Sequence, residues 1–257
     1  MKPAKLILTL LALLPAAALL KAQTADDLVS RNVQARGGLE KIKAIQTFRA
    51  VGKFESDGFK ADVRTESKRP DKLRQLFTFQ RMTETDAYDG RIGWKISPFQ
   101  GKKDADQMGE DDVRTLMEDA DFDGPLVDAT AKGNKIEFLG KQPVDGDDAF
   151  VLRVTRKNGD IDTFYLDPDT YLTFRVDRKT FIRGSVNQNT TEYGSYKSMN
   201  GVLYPFSLQF GPTAHPESRQ KVTLERIEVN VPLEDSLFSM PAAKAPQSAP
   251  AHPGESQ

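Results

Sequence analysis

Catalysis needs nucleophiles, bases or metal ligands within reach of one another, and this sequence supplies few of them. It contains no cysteine, which removes disulfides, thiolate nucleophiles, thiolate-bound metals and a lipid-modified N-terminal cysteine. Of the two histidines, His215 sits in the turn-like TAHPES and His252 in a polar tail, so no Ser-His-Asp arrangement is expected. A P-loop and a GxGxxG fingerprint are both absent, and the hairpin-rich pattern lacks the strand-helix-strand unit that either needs. No cofactor is expected. Carboxylates remain. Asp167 and Asp169 could flank a glycosidic bond, but aspartates around Pro168 are also what a proline-containing turn selects.

Asp119, Asp121 and Asp123, followed by Gly124, match the D-x-D-x-D-G opening of a calcium loop, in which alternate oxygens ligate and glycine turns the chain. The twelfth position is Thr130 rather than glutamate, and Pro125 stiffens the loop. An acidic helix end is the stronger reading, and no metal site is assigned. A different kind of candidate is apolar. Phe54, Phe77, Phe79, Trp94 and Ile96 alternate along neighbouring hairpins, so that one sheet face could collect them. Such a stripe reads either as ordinary core or as the wall of a dry cleft.

The elements that must position these residues are mostly strands. Ala149 to Asp177 reads as a three-strand meander: Phe150, Leu152 and Val154 share a face, as do Ile161 and Tyr165, and then Leu172, Phe174 and Val176. Asn158-Gly159 predicts a type I′ hairpin and Asp167-Pro168-Asp169-Thr170 a proline turn. Further hairpins are predicted at Asp57-Gly58, Asp89-Gly90, Asp145-Gly146 and Asn200-Gly201, the last joining Tyr193–Met199 to Val202–Phe210. Lys72 to Met82 reads as one continuous strand. In the final strand the apolar parity shifts from Val222 and Leu224 to Ile227, Val229 and Val231, which predicts a bulge near Glu225-Arg226.

Helices frame this sheet. Thr24 and Asp27 form a capping-box signature ahead of Leu28, Val29 and Val33, and Gly37-Gly38 ends that helix. Between Pro98 and Pro125 the period changes to 3.6, placing Val113, Leu116, Met117 and Ala120 on one face, with Glu110, Asp111 and Asp112 near the N-terminus. That face has nowhere to go but the open side of the sheet.

The chain of 257 residues carries 36 Lys+Arg against 37 Asp+Glu, a balance that argues against nucleic acid as a partner. Lys2 and Lys5 precede the apolar run Leu6 to Leu14, then Pro15 and small residues through Ala22, the order of a cleaved secretory signal. The run is short of the about 20 residues a spanning helix needs. The expected organisation is a signal peptide over 1–22, one domain over 23–241 and a disordered tail over 242–257.

Taken together, the signal, the N-terminal helix, the hairpins with YDGRIGW, the inserted helix, the turn LDPDTYL and the ending VPLEDSLFSMP resemble the LolA-like outer-membrane lipoprotein-sorting protein family, over roughly Ala25 to Pro241. The resemblance implies a mainly β protein with helices, an incomplete antiparallel β barrel whose helices plug the concave side. It further implies a periplasmic, monomeric carrier of lipoprotein acyl chains or other lipid, handing over to envelope delivery or acceptor proteins and catalysing nothing. Its hydrophobic cleft would be lined by Phe54, Phe77, Phe79, Trp94, Ile96, Leu116 and Met117. The alternatives are an envelope hydrolase using cleft carboxylates, or a structural module that binds nothing.

Overall fold

Residues 23–242, apart from 122 and 183, are described by the structure, a computed structural model. The expected signal over 1–22, and all but the first residue of the expected tail, lie outside the described residues. Thr24 starts the first helix as its sequence requires. Its hydroxyl accepts from Asp27 N at 3.1 Å while the Asp27 carboxylate accepts from Thr24 N at 3.3 Å, pairing two amides that have no partner within the helix. Helix α1 (Ala25–Ala35) is followed after Gly37 and Gly38 by the short α2 (Leu39–Ala44).

Strands β1 (Thr47–Ser56) and β2 (Phe59–Lys68) meet at Asp57-Gly58, whose φ values of 45° and 80° make the type I′ turn expected there. The stretch read as one strand through Met82 is instead a hairpin, β3 (Lys72–Phe79) and β4 (Met82–Tyr88). Gln80 and Arg81 turn it with φ of 47° and 67°, a conformation neither residue type announces. After β5 (Gly93–Ile96) and β6 (Asp106–Gln107) comes the predicted inserted helix, α3 (Glu110–Ala120).

The second half holds β7 (Lys135–Val144), β8 (Asp147–Thr155), β9 (Ile161–Leu166), β10 (Thr173–Ile182) and β11 (Ser185–Gly194). A small hairpin, β12 (Lys197–Met199) with β13 (Val202–Tyr204), precedes β14 (Ser207–Pro212) and β15 (Gln220–Val229). The expected pairing about Asn200-Gly201 keeps one register from Met199↔Val202 out to Tyr193↔Leu208. Three details of the meander differ from expectation, the first being a bulge at Phe174 that turns its ring to Tyr165 and off the face of Val176. Only Gly159 of the Asn158-Gly159 pair has positive φ, and Arg156 N bonds Asp160 O across a three-residue loop. In β9 it is Asp162, Phe164 and Leu166 that are buried, not Ile161 and Tyr165; Asp162 is tolerated there because Arg156 and Arg178 pair with it at 2.6 and 3.0 Å.

All the main strands join one antiparallel sheet of 13, ordered β6-β5-β4-β3-β2-β1-β15-β14-β11-β10-β9-β8-β7. The predicted bulge lies where Val51 faces Arg226 but Gly52 faces Leu224, leaving Glu225 as the extra residue. A Cβ on Gly52 would fall 2.4 Å from the Thr223 carbonyl oxygen, so glycine is what lets the strands approach. The bulge keeps Val222, Leu224, Ile227 and Val229 on a single face.

Helix packing shows that the sheet curls. Leu116 and Ala120 of α3 pack on Leu73 and Tyr88 of β3 and β4, while Glu118 and Asp119 reach Arg178 of β10 at 3.6 and 3.7 Å. In a flat sheet β3 and β10 would be six strand spacings apart, roughly 29 Å, against a helix diameter of about 10–12 Å. On the same concave side, Leu28 of α1 packs with Leu152, Val154, Phe164 and Val176, and Ile42 of α2 with Ile45 and Val202. The strands do not close, since β6 and β7 end the sheet on either side. The result is an incomplete antiparallel barrel with helices in its concave side.

Candidate functional site

Beside the helices, the concave wall of β1–β4, β14 and β15 leaves a cavity of about 700 Å³, within the range of about 300–1,000 Å³ typical of small-molecule sites. Cross-strand register builds it. Phe54 faces Val222 across β1 and β15, Val222 faces Leu208 across β15 and β14, and Val63 faces Phe77 across β2 and β3. Phe48, Phe210 and Leu224 extend this lining, and Phe99, 39% exposed, overhangs it from the turn after β5. The rings meet edge to face, Phe54 with Phe77 at 5.3 Å and Phe77 with Phe99 at 6.2 Å. These side chains are half-buried rather than sealed in the core, so they keep apolar surface that the protein's own packing does not cover.

One wall is acidic. Glu84 lies opposite Phe77 and Asp86 opposite Gln75, on the cavity face of β4. Burial pushes the Asp86 carboxyl above its ordinary range and the charge of Glu84 adds to this, with Lys95 pulling the other way.

Of the residues expected to form a cleft, Phe54 and Phe77 line the cavity, and Phe79 joins their ring cluster through Phe59 at 4.4 Å, at its outer end. The register does not bring Trp94 and Ile96 to them. Trp94 faces Ala87 and Ile96 faces Thr85, residues whose parity in β4 is opposite to that of Glu84, so both point to the far side of the sheet. Leu116 is buried against Leu73 and Tyr88, and Met117 is 49% exposed. The lining from β14 and β15 lies outside the expected set, although the alternation of Leu208 and Phe210 carries its signal.

The three aspartates of the calcium-like loop diverge. Asp119 pairs with Arg178, Asp121 with Lys132 at 2.6 Å, and Asp123 with Lys43 and Arg69. Among the described residues no set of three acidic or histidine side chains converges as metal ligands. Asp167 accepts from Asp169 N, Thr170 N and the Thr170 hydroxyl, the work of a turn. His215 is exposed beside Glu217 at 3.2 Å, and His252 lies outside the described residues.

Ion pairs hold the helical side in place. Glu118, 12% exposed, lies within 3.7 Å of Arg156 and 3.6 Å of Arg178; burial pushes its carboxyl up and the two arginines pull it back. No helix of the described residues is long and apolar enough to cross a membrane.

No protein-family model and no curated protein matches the sequence. Solved structures do match over most of the chain. A LolA superfamily protein from Nitrosomonas europaea superposes with a TM-score of 0.58 at 12% identity, over 85% of this chain and 98% of its own. A DUF1329 family protein from Desulfovibrio piger gives 0.56 at 14% identity, over 84% and 97%. An outer membrane lipoprotein-sorting protein domain from Vibrio parahaemolyticus gives 0.53 at 12% identity, over 82% and 97%. Identities this low speak to architecture alone, and the architecture of this chain is the LolA-like open β barrel.

Proposed function

We propose that this protein is an exported, soluble periplasmic carrier that binds an acyl chain or other lipid in the cavity between β1–β3 and β14–β15. One observation carries the reading: a cavity of about 700 Å³ walled by half-buried phenylalanines and aliphatic side chains, within a barrel left open at β6 and β7. An acyl chain returns about 0.8 kcal/mol per buried methylene, so some 14 methylenes would give roughly 11 kcal/mol before the costs of association. The likeness of fold to a lipoprotein-sorting domain supports the same class of ligand. Binding rather than catalysis is favoured because the charged residues lining the cavity are Arg64, Glu84 and Asp86, with no nucleophile and base in mutual reach. Delivery and acceptor proteins of the envelope would be its partners, and a monomer its working form.

Native mass spectrometry of the protein purified from a periplasmic fraction, followed by lipid extraction, tests this. A stoichiometric adduct that releases an acylated molecule is expected. Protein that is ligand-free and fails to bind a fluorescent fatty acid at micromolar concentration would refute it.

A further inference from the structure

The apolar cavity ends at Tyr204 and Pro205, and the same two residues border a second cavity of about 270 Å³. α1 with Asp121 and residues 123–126 forms one side of it, β10 and β11 the other. Its lining is of another chemistry: Asn32, Arg36, Arg178, Tyr193, Tyr196 and Tyr204.

Two of these groups have capacity left. Asn32 is 1% exposed. Its Nδ2 donates to Tyr171 O at 2.8 Å, yet its Oδ1 is buried and accepts no hydrogen bond. Buried acceptors are nearly always paired, by protein, water or ligand, and this one borders a cavity in which a ligand hydroxyl can supply the donor. Arg36 donates through Nη1 to the Asp123 backbone carbonyl at 3.0 Å and forms no ion pair among the described residues. The other charges of the lining are matched internally. Arg178 faces Asp162, Glu118 and Asp119, Asp121 holds Lys132, and Asp123 holds Lys43 and Arg69. Leu203 N donates to Arg36 O at 2.8 Å, which sets Arg36 beside Tyr204 and the shared threshold. At the opposite wall of the apolar cavity stand Glu84 and Asp86 on β4, three strand spacings from β1. They disfavour an anion there.

We propose that the two cavities hold a single amphiphile: its tail lies in the apolar cavity, and an anionic head group bearing a hydroxyl donor lies in the polar one, the anion on Arg36 and the hydroxyl on Asn32 Oδ1. This rests on the carrier reading above and adds the class of head group. The test compares lysophosphatidylglycerol with a monoacylglycerol of the same acyl chain, which keeps the hydroxyls and lacks the anion, each titrated calorimetrically into the delipidated, signal-processed chain. The phosphate-bearing lipid is expected to bind at least about tenfold tighter, the scale of one charge-assisted hydrogen bond. Arg36→Gln should bring that ratio close to one, and Arg36→Lys should restore part of it. Added salt should lower the ratio in the wild type, a readout that stands even where a variant fails to fold. Equal affinities in the wild type, a ratio indifferent to salt, or a preference that survives in folded Arg36→Gln would each overturn the head-group assignment. Failure of both lipids to bind would instead remove the carrier reading and this proposal with it.

Discussion

Trp94 Nε1 donates a 2.7 Å hydrogen bond to the Phe238 carbonyl on the face of the sheet turned away from the cavity. The chain is led there from β15 by the Thr47 hydroxyl on Val231 O, by Lys68 on Leu233 O, and by Asp235 between Lys68 and Lys72. Trp94 is 3% and Phe238 0% exposed, so indole emission reports on this C-terminal strap. Phe238→Ala is expected to cost about 3–5 kcal/mol and to shift Trp94 emission to the red. Saturation with an acyl ligand should move that emission little. Denaturant titration and emission spectra of both proteins check this; a large ligand-induced shift would contradict it.

Asp123 ties the loop after α3 to α2. Its carboxylate, 2% exposed, accepts from Lys43 at 2.7 Å and Arg69 Nη1 at 2.9 Å, while Arg69 also donates to Ile45 O and Ile42 O. Burial pushes the carboxyl up, but the hydrogen bonds from Arg69 and Lys43 outweigh it, and the group sits below its ordinary range. A depressed folded value contributes stability above the unfolded value of about 3.9 and loses it as pH falls through the folded one. Acid unfolding should therefore steepen below about pH 4. Asp123→Asn should flatten that limb and cost about 3 kcal/mol at neutral pH, because Arg69 and Lys43 lose the charge of the buried carboxylate they share. Urea midpoints between pH 2 and 7 decide; parallel curves for the two proteins would exclude Asp123 as the group.

What the sequence reveals here depends on the range over which each signal acts. Asp57-Gly58, Asp145-Gly146 and Asn200-Gly201 all turn with two positive φ values, because that conformation selects residue types locally. Gln80-Arg81 makes the same turn with unsuited residues, held by the pairing of β3 with β4, and no local signal marks it. Parity within a strand is legible, parity between strands is not. Trp94 and Ile96 do share a face, but the loop from Asp89 to Ile92 sets them opposite Ala87 and Thr85, which turns that face away from Phe77. Asp162 misleads for another reason. Its burial depends on Arg156 and Arg178, the second of them 16 residues away.

Phe77 separates a cavity role from a core role. It is half-buried and touches Phe54, Phe59 and Phe99, so a carboxylate there can still reach water through the opening of the cavity. Phe77→Asp is expected to weaken acyl binding at least about tenfold while lowering Tm by only a few degrees. Leu152, 0% exposed in the cluster under α1, is the contrast, and Leu152→Asp should not fold. Thermal melts and fatty-acid titrations on the same samples distinguish them. Unfolding of Phe77→Asp to the same degree would reassign Phe77 to the core.

Gly93 and Val113 set how closely α3 sits on the wall. A Cβ on Gly93 would lie 2.2 Å from Val113 Cγ2 and 3.5 Å from Met108 Sδ, so Gly93→Ala must push the helix away from β5. The other anchors of α3 lie further along the helix: Leu116 and Ala120 on Leu73 and Tyr88, Arg114 on the Phe181 carbonyl at 2.9 Å, and Glu118 and Asp119 on Arg178. They hold the helix on but cannot relieve the clash. Overpacking of this kind costs about 1–3 kcal/mol, and Val113→Ala alone should cost about 1 kcal/mol for the half-buried methyls it removes. The double variant removes the methyls and with them the 2.2 Å contact, leaving only the 3.0 Å approach of the two Cβ atoms, so its loss should be smaller than that of Gly93→Ala alone, with a coupling of at least about 1 kcal/mol. Hydrogen exchange gives the structural counterpart: amides of 110–120 should lose protection in Gly93→Ala and regain it in the double variant. Additive energies with unchanged exchange would mean that α3 tolerates the extra methyl by turning in place, and its seat on β5 would then not be fixed by this contact.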